Sequence, residues 1–71
     1  MRRVEYVGPL EPLRGKRAIA QDGPFRVQFD GYEDEWRSPA EHRLRHPETG
    51  AYLGLNWHVM PEGHFKALED N

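Results

Sequence analysis

Apolar and polar positions alternate without interruption from Phe25 to Asp30, with Phe25, Val27 and Phe29 on one face and Arg26, Gln28 and Asp30 on the other. A period of two predicts a half-buried antiparallel strand. A second extended stretch, Arg17 to Gln21, precedes it across Asp22-Gly23-Pro24. Glycine enters positive φ without steric cost, so residues 17–30 are expected to form a β-hairpin. Further on, Leu53, Leu55, Trp57 and Val59 alternate with Gly54, Asn56, His58 and Met60 before Pro61-Glu62-Gly63 breaks the pattern. That stretch is predicted to be another strand. Val4 to Val7 forms a short extended segment closed by Gly8-Pro9 and Pro12, and Phe65 to Leu68 a short closing strand.

One helix is expected. Ser38 stands as N-cap, Pro39 at the first helical position and Glu41 as the residue reaching back to the cap. It can run only to about His46, because Pro47 stops it. One or two turns are not stable alone, so this piece must dock on the sheet or fold with a partner. The elements together predict a mainly β fold, a small SH3-like barrel or rolled antiparallel sheet of four to five strands with one short helix. Its expected core is Val4, Tyr6, Ala18, Ala20, Phe25, Val27, Phe29, Leu53, Leu55, Trp57 and Val59, with Phe65 plugging one end. Residues 1–68 form a single domain, with a variable loop and the short helix at 31–50 and a frayed tail at 69–71.

With 71 residues and 37% of them apolar, the chain can build one small core. A domain of this size buries only about 60% of its unfolded surface. It has no cysteine, so neither disulfides nor thiolate metal ligands supplement that core. Its apolar runs reach only two or three residues, far short of a membrane span or a signal-peptide core. A soluble protein of a reducing compartment is expected. The net charge of −2 conceals an asymmetry: +3 over residues 1–29 and −5 over residues 30–71. This balance argues against a protein built mainly to wrap a phosphate backbone.

Candidate chemistry is thin. His42 and His46 lie four apart and would project from one face of the short helix, and His58 and His64 add two more imidazoles. His58 and His64 are separated by Pro61 and Gly63, so no tight second ligand pair exists, and no metal or other cofactor is expected. Ser38 reads as a helix cap and not as a nucleophile. Glu33, Asp34 and Glu35 are adjacent acids without the apolar pocket that would raise a pKa for acid catalysis. No glycine loop has phosphate-binding spacing. The chain is read as non-enzymatic.

Two surfaces remain. Asp30, Tyr32, Glu33, Asp34, Glu35, Trp36 and Arg37 place four acids around two aromatics just after a well-formed strand. Tyrosine and tryptophan supply rigid contact area, and clustered carboxylates orient a partner's arginines or lysines. This segment is the candidate partner-binding loop. Arg2, Arg3, Arg14, Lys16 and Arg17, with Arg43, form a secondary candidate contact set. The first five could alternatively make the domain a nucleic-acid-binding module.

Leu13-Arg14-Gly15-Lys16-Arg17-Ala18-Ile19-Ala20, the strand Phe25 to Asp30, and Leu53-Gly54-Leu55-Asn56-Trp57-His58-Val59-Met60-Pro61 to Phe65 resemble small phage-encoded SH3-like proteins. The likeness covers about two thirds of the chain. Length and arginine-rich composition also look like those of small Xanthomonas phage regulators that bind host RNA polymerase. The resemblance implies a monomer without cofactor or catalytic residues that works in the host bacterial cytoplasm. Its implied partner is the polymerase β′ subunit and its implied role is transcription inhibition or antitermination, while a structural accessory of the phage particle is the other phage role. Gly23-Pro24-Phe25 is similar to the KOW element of elongation and ribosomal proteins, but that motif's glycine spacing and flanking basic residues are not reproduced.

Overall fold

A computed structural model describes residues 1–30, 37, 39–54 and 56–68. The fold is mainly β: strands β1 (Arg2–Tyr6), β2 (Arg17–Gln21), β3 (Arg26–Phe29) and β4 (Phe65–Ala67) form one antiparallel sheet in the order β3-β2-β1-β4. The sheet is open; its described strands do not close into a barrel. Beyond β3, His58 makes a single bridge to Val27, donating to and accepting from its backbone at 2.8 and 2.9 Å.

The predicted hairpin is present, with Ala18 opposite Phe29 and Ala20 opposite Val27. Gly23, at φ 71°, makes the reversal that a residue with a Cβ would resist. Each strand sends alternate residues inward. Val4, Tyr6, Ala18, Ala20, Val27 and Phe29 are buried and meet Leu53. Phe65 and Phe25 are half-buried, and the Phe65 ring lies 5.2 Å from that of Tyr6, 5.6 Å from Phe25 and 6.1 Å from Phe29. This aromatic cluster seats β4 against β1.

Leu13 and Met60, outside the expected core, complete it. Leu13 ends a 3-10 turn, Glu11–Leu13, in the proline-rich connection between β1 and β2. That connection is tied back at both ends: Tyr6 N–H donates to the Lys16 carbonyl at 2.9 Å and Gly15 N–H to the Tyr6 carbonyl at 3.0 Å. Trp57 is only half-buried and Val59 is 79% exposed, so neither is the core residue expected of it. Leu55 lies outside the described residues, as does the tail 69–71.

Two predicted elements are corrected. The strand over 53–60 is reduced to the His58 bridge. Leu53 and Met60 are both buried, and strict alternation would put an odd and an even position on opposite faces, so the chain must turn between them. The short helix to His46 is a single 3-10 turn, Ala40–His42. Pro39, expected as its first helical residue, is extended at ψ 146°, and the chain is extended again at Arg43, ψ 144°. The predicted cap, Ser38, lies outside the described residues. After the turn the chain enters a second, smaller hairpin, in which Arg45 bridges Tyr52. No described helix is long and apolar enough to cross a membrane.

Candidate functional site

The outer face of the sheet is charged, and its register orders the signs. Asp30 N–H donates to the Arg17 carbonyl, Arg17 stands opposite Glu5, and Glu5 opposite Lys66. Negative and positive residues therefore alternate from Asp30, just past β3, across β2, β1 and β4. Arg3, two residues before Glu5 on β1, reaches the Asp30 carboxylate at 2.7 Å, and Lys66 reaches Glu5 at 3.5 Å. Asp30, beside Arg17 and bonded to Arg3, joins an acid of the negative C-terminal half to cations of the positive N-terminal half, whereas Glu5 with Lys66 joins the halves with the signs reversed.

Arg2 has the parity of Val4 and Tyr6 and sits at the other end of the sheet. Its guanidinium lies over the Phe25 ring at 5.7 Å and bonds both Asp22 oxygens and Glu62, each at 3.2 Å. The hydrogen bonds to Asp22 hold the Arg2 guanidinium above its ordinary range, and the same bonds hold the Asp22 carboxyl below the usual carboxylate range. Arg14 donates from Nε to the Gly8 carbonyl at 3.0 Å. Lys16 is exposed in the β1–β2 connection. The five N-terminal cations therefore do not converge: Arg2 is on the core side at one end of the sheet, Arg3 and Arg17 are on the outer face, and Arg14 and Lys16 are in a loop. Of the proposed partner-binding segment, Asp30 is bonded to Arg3 and Arg37 is exposed. Tyr32, Glu33, Asp34, Glu35 and Trp36 lie outside the described residues.

A different arrangement occupies the second hairpin. His46 N–H donates to the Ala51 carbonyl at 2.8 Å and Leu53 N–H to the Leu44 carbonyl at 2.9 Å. Gly50, at φ 77°, closes the turn. The His46 ring accepts at Nδ1 from the Glu48 and Thr49 N–H groups at 3.1 and 3.3 Å. With Leu44 packed on the core, Arg43 and Arg45 share the other side of the strand, as positions two apart must. Both guanidiniums lie over Tyr52, at 5.4 and 4.6 Å from the ring centroid, and Arg45 donates to the Tyr52 hydroxyl at 2.7 Å. Arg45 and Tyr52 were not among the sequence candidates. The signal was present as Arg-Leu-Arg before a Thr49-Gly50 turn, masked by the helix reading of 38–46.

The histidines are engaged separately. His42 is exposed, His58 pairs its Nε2 with the Tyr52 carbonyl at 3.1 Å, and His64 meets Tyr6 edge-on at 6.1 Å. Without the helix, His42 and His46 do not share a helical face. Among the described residues no three His, Asp or Glu side chains converge as metal ligands would. An open groove of about 430 Å³ is lined by Pro9, Leu10, His46, Glu48, Val59, Met60, Pro61 and His64. Compared with known family models, curated proteins and solved structures, the chain matches none.

Proposed function

We propose that this chain is a non-enzymatic, monomeric interaction module that binds a large host protein, bacterial RNA polymerase through its β′ subunit, and regulates transcription as a phage-encoded inhibitor or antiterminator in the host cytoplasm. The observation that carries the protein-binding part is the neutralisation of Arg2, Arg3 and Lys66 by carboxylates of the same chain. That pairing weakens the alternative of a nucleic-acid module built on the N-terminal arginines. The acidic-aromatic segment Asp30 to Arg37 is then the surface offered to a basic patch on the partner. The polymerase assignment rests on the resemblance in length and arginine-rich composition to small Xanthomonas phage regulators that bind host RNA polymerase. An SH3-like reading of the fold is supported by β1 pairing with both β2 and β4, by the 3-10 turn Glu62–His64 just before β4, and by the His58 bridge beyond β3.

A domain this small covers little of a large enzyme, so it must bias a conformational equilibrium or occupy a critical surface. The test is a titration of isotope-labelled protein with β′ fragments. Amide shifts concentrated at 30–37, and affinity at least about tenfold lower in a Trp36→Ala, Glu33→Lys, Glu35→Lys variant, are expected. Unchanged binding by that variant, with its amide spectrum otherwise preserved, would remove the assignment.

A further inference from the structure

Three segments far apart in the chain meet at the open groove: Leu10 comes from the β1–β2 connection, His46 and Glu48 from the turn of the second hairpin, and Val59 and His64 from the approach to β4. Contacts within the fold fix these segments. Tyr6, fully buried, accepts from Leu10 N–H at 3.0 Å through its hydroxyl and meets the His64 ring edge-on. Gly8 permits this close approach, since a Cβ there would stand 2.7 Å from the His64 Cβ, and Val7 N–H donates to the His64 carbonyl at 2.8 Å. The hairpin turn is held by the His46 ring, which accepts from two of its amides. A groove assembled in advance lowers the ordering cost of binding.

Its lining combines aliphatic surface with a single charge. Leu10 is half-buried and Val59 largely exposed, so both keep apolar surface whose removal from water is favourable. Glu48 is the one acid on the lining, and no lysine or arginine joins it there. Glu5, Asp22, Asp30 and Glu62 each have a cation of the chain, whereas Glu48 is exposed and has none among the described residues. The cation of the β1–β2 connection nearest in sequence, Arg14, bonds the Gly8 carbonyl and does not line the groove. Because the turn occupies His46 Nδ1, Nε2 carries the proton and is the ring's donor.

An amphipathic cation matches this set. Arginine lays an apolar stem along aliphatic surface while its head stays in polar company. Its planar fork also bonds a carboxylate through two parallel N–H donors. The volume, about 430 Å³, is at the small end of the range for ligand sites.

We propose that this groove binds a short peptide segment of a partner protein that presents an arginine between apolar residues. Glu48 takes the guanidinium, Leu10 and Val59 take the stem and its apolar neighbours, and His46 Nε2–H donates to a peptide carbonyl. The site lies outside 30–37 and does not depend on the polymerase assignment.

The experiment titrates the labelled full chain with acetyl-Leu-Arg-Leu-amide, with its citrulline counterpart, which has the same shape without the charge, and with acetyl-Leu-Glu-Leu-amide. The arginine peptide should shift amides in 8–10, 46–50 and 59–64 with a dissociation constant on the order of 1 mM, and the citrulline peptide should bind about tenfold more weakly. Both side chains chosen for substitution are exposed, so the variants should fold. Glu48→Gln should bring the arginine peptide to the citrulline level and leave citrulline binding as it was, while Val59→Ser should weaken both. Four results would overturn the proposal. They are shifts confined to 30–37, which would place arginine recognition in the acidic-aromatic segment; equal binding of the glutamate peptide; unaltered affinity in Glu48→Gln; and shifts of the same amides on concentrating the chain without peptide, which would make a second copy the occupant.

Discussion

The outer sheet face and the 44–53 hairpin hold arginine in opposite ways. On the sheet, register places Asp30, Arg17, Glu5 and Lys66 in alternation, and Arg3 reaches across to Asp30. In the hairpin, two guanidiniums share the ring of Tyr52. Cross-strand pairing of opposite charges yields a surface with little net field, whereas aromatic support positions a cation without neutralising it. The same residue type is therefore held by carboxylates in one region and against an aromatic ring in the other. Counting arginines from the sequence cannot separate the two cases; only pairing does.

The comparison can be broken most severely at Leu53, which fixes the hairpin to the core. Leu53→Ala should cost about 2–5 kcal/mol, a large part of the stability of a 71-residue domain. Urea denaturation followed by hydrogen exchange separates two consequences: loss of protection throughout means the hairpin and sheet form one cooperative unit, and loss confined to 44–53 means they do not. A matching change on the sheet side is Gly8→Ala. A Cβ there would stand 2.6 Å from the Tyr6 hydroxyl oxygen and 2.7 Å from the His64 Cβ, so a loss of about 1–3 kcal/mol is expected. A melting temperature equal to that of the parent chain would show that this junction yields.

What the sequence made legible follows from which rules compete. Phe25, Val27 and Phe29 alternate beside an Asp-Gly turn, and there the pattern and turn chemistry agree; β2, β3 and seven expected core residues are where they were predicted. From Leu53 to Val59 an equally regular pattern misleads, because burial of both Leu53 and Met60 requires a bend that alternation does not reveal. The cap signals at Ser38 to Glu41 yield to tertiary pairing: a helix through Arg45 would forfeit the Arg45–Tyr52 bridge and the bonds beside it. Leu13 sits among prolines with no periodicity to mark it. The arginine–tyrosine site escaped for the same reason as its hairpin, since Arg43 and Arg45 fall on one side only when the strand is extended.

Smaller effects sharpen the contrast. Arg17→Glu would set three acids in a row across β2, β1 and the residue just past β3, where Asp30 and Glu5 now flank a cation. A loss of about 1 kcal/mol is expected, shrinking at high salt. Tyr52→Phe removes the acceptor of the Arg45 bond but keeps the ring; about 0.5–1 kcal/mol is expected, with faster exchange limited to the hairpin. A larger loss from the tyrosine change than from the arginine reversal would invert the ranking of the two regions.

The smallest expected effect is also the most selective. Asp22 titrates below the ordinary carboxylate range because Arg2 bonds its charged form. A group whose pKa is depressed on folding adds stability above its unfolded pKa, about 3.9 for aspartate, and that stability disappears as pH falls through the folded value. The difference in urea midpoint between the parent chain and Asp22→Asn should therefore be constant above about pH 5 and close progressively below pH 4. Salt should narrow it, since the Asp22 side chain is exposed and that of Arg2 reaches solvent. The corresponding difference for Tyr52→Phe should stay level over the same acid range, because no carboxylate takes part in the Arg45–Tyr52 contact. A difference for Asp22→Asn that persists undiminished to the lowest pH would mean that Asp22 acts through the turn it occupies and not through its charge, and the sheet would lose one of its compensated pairs.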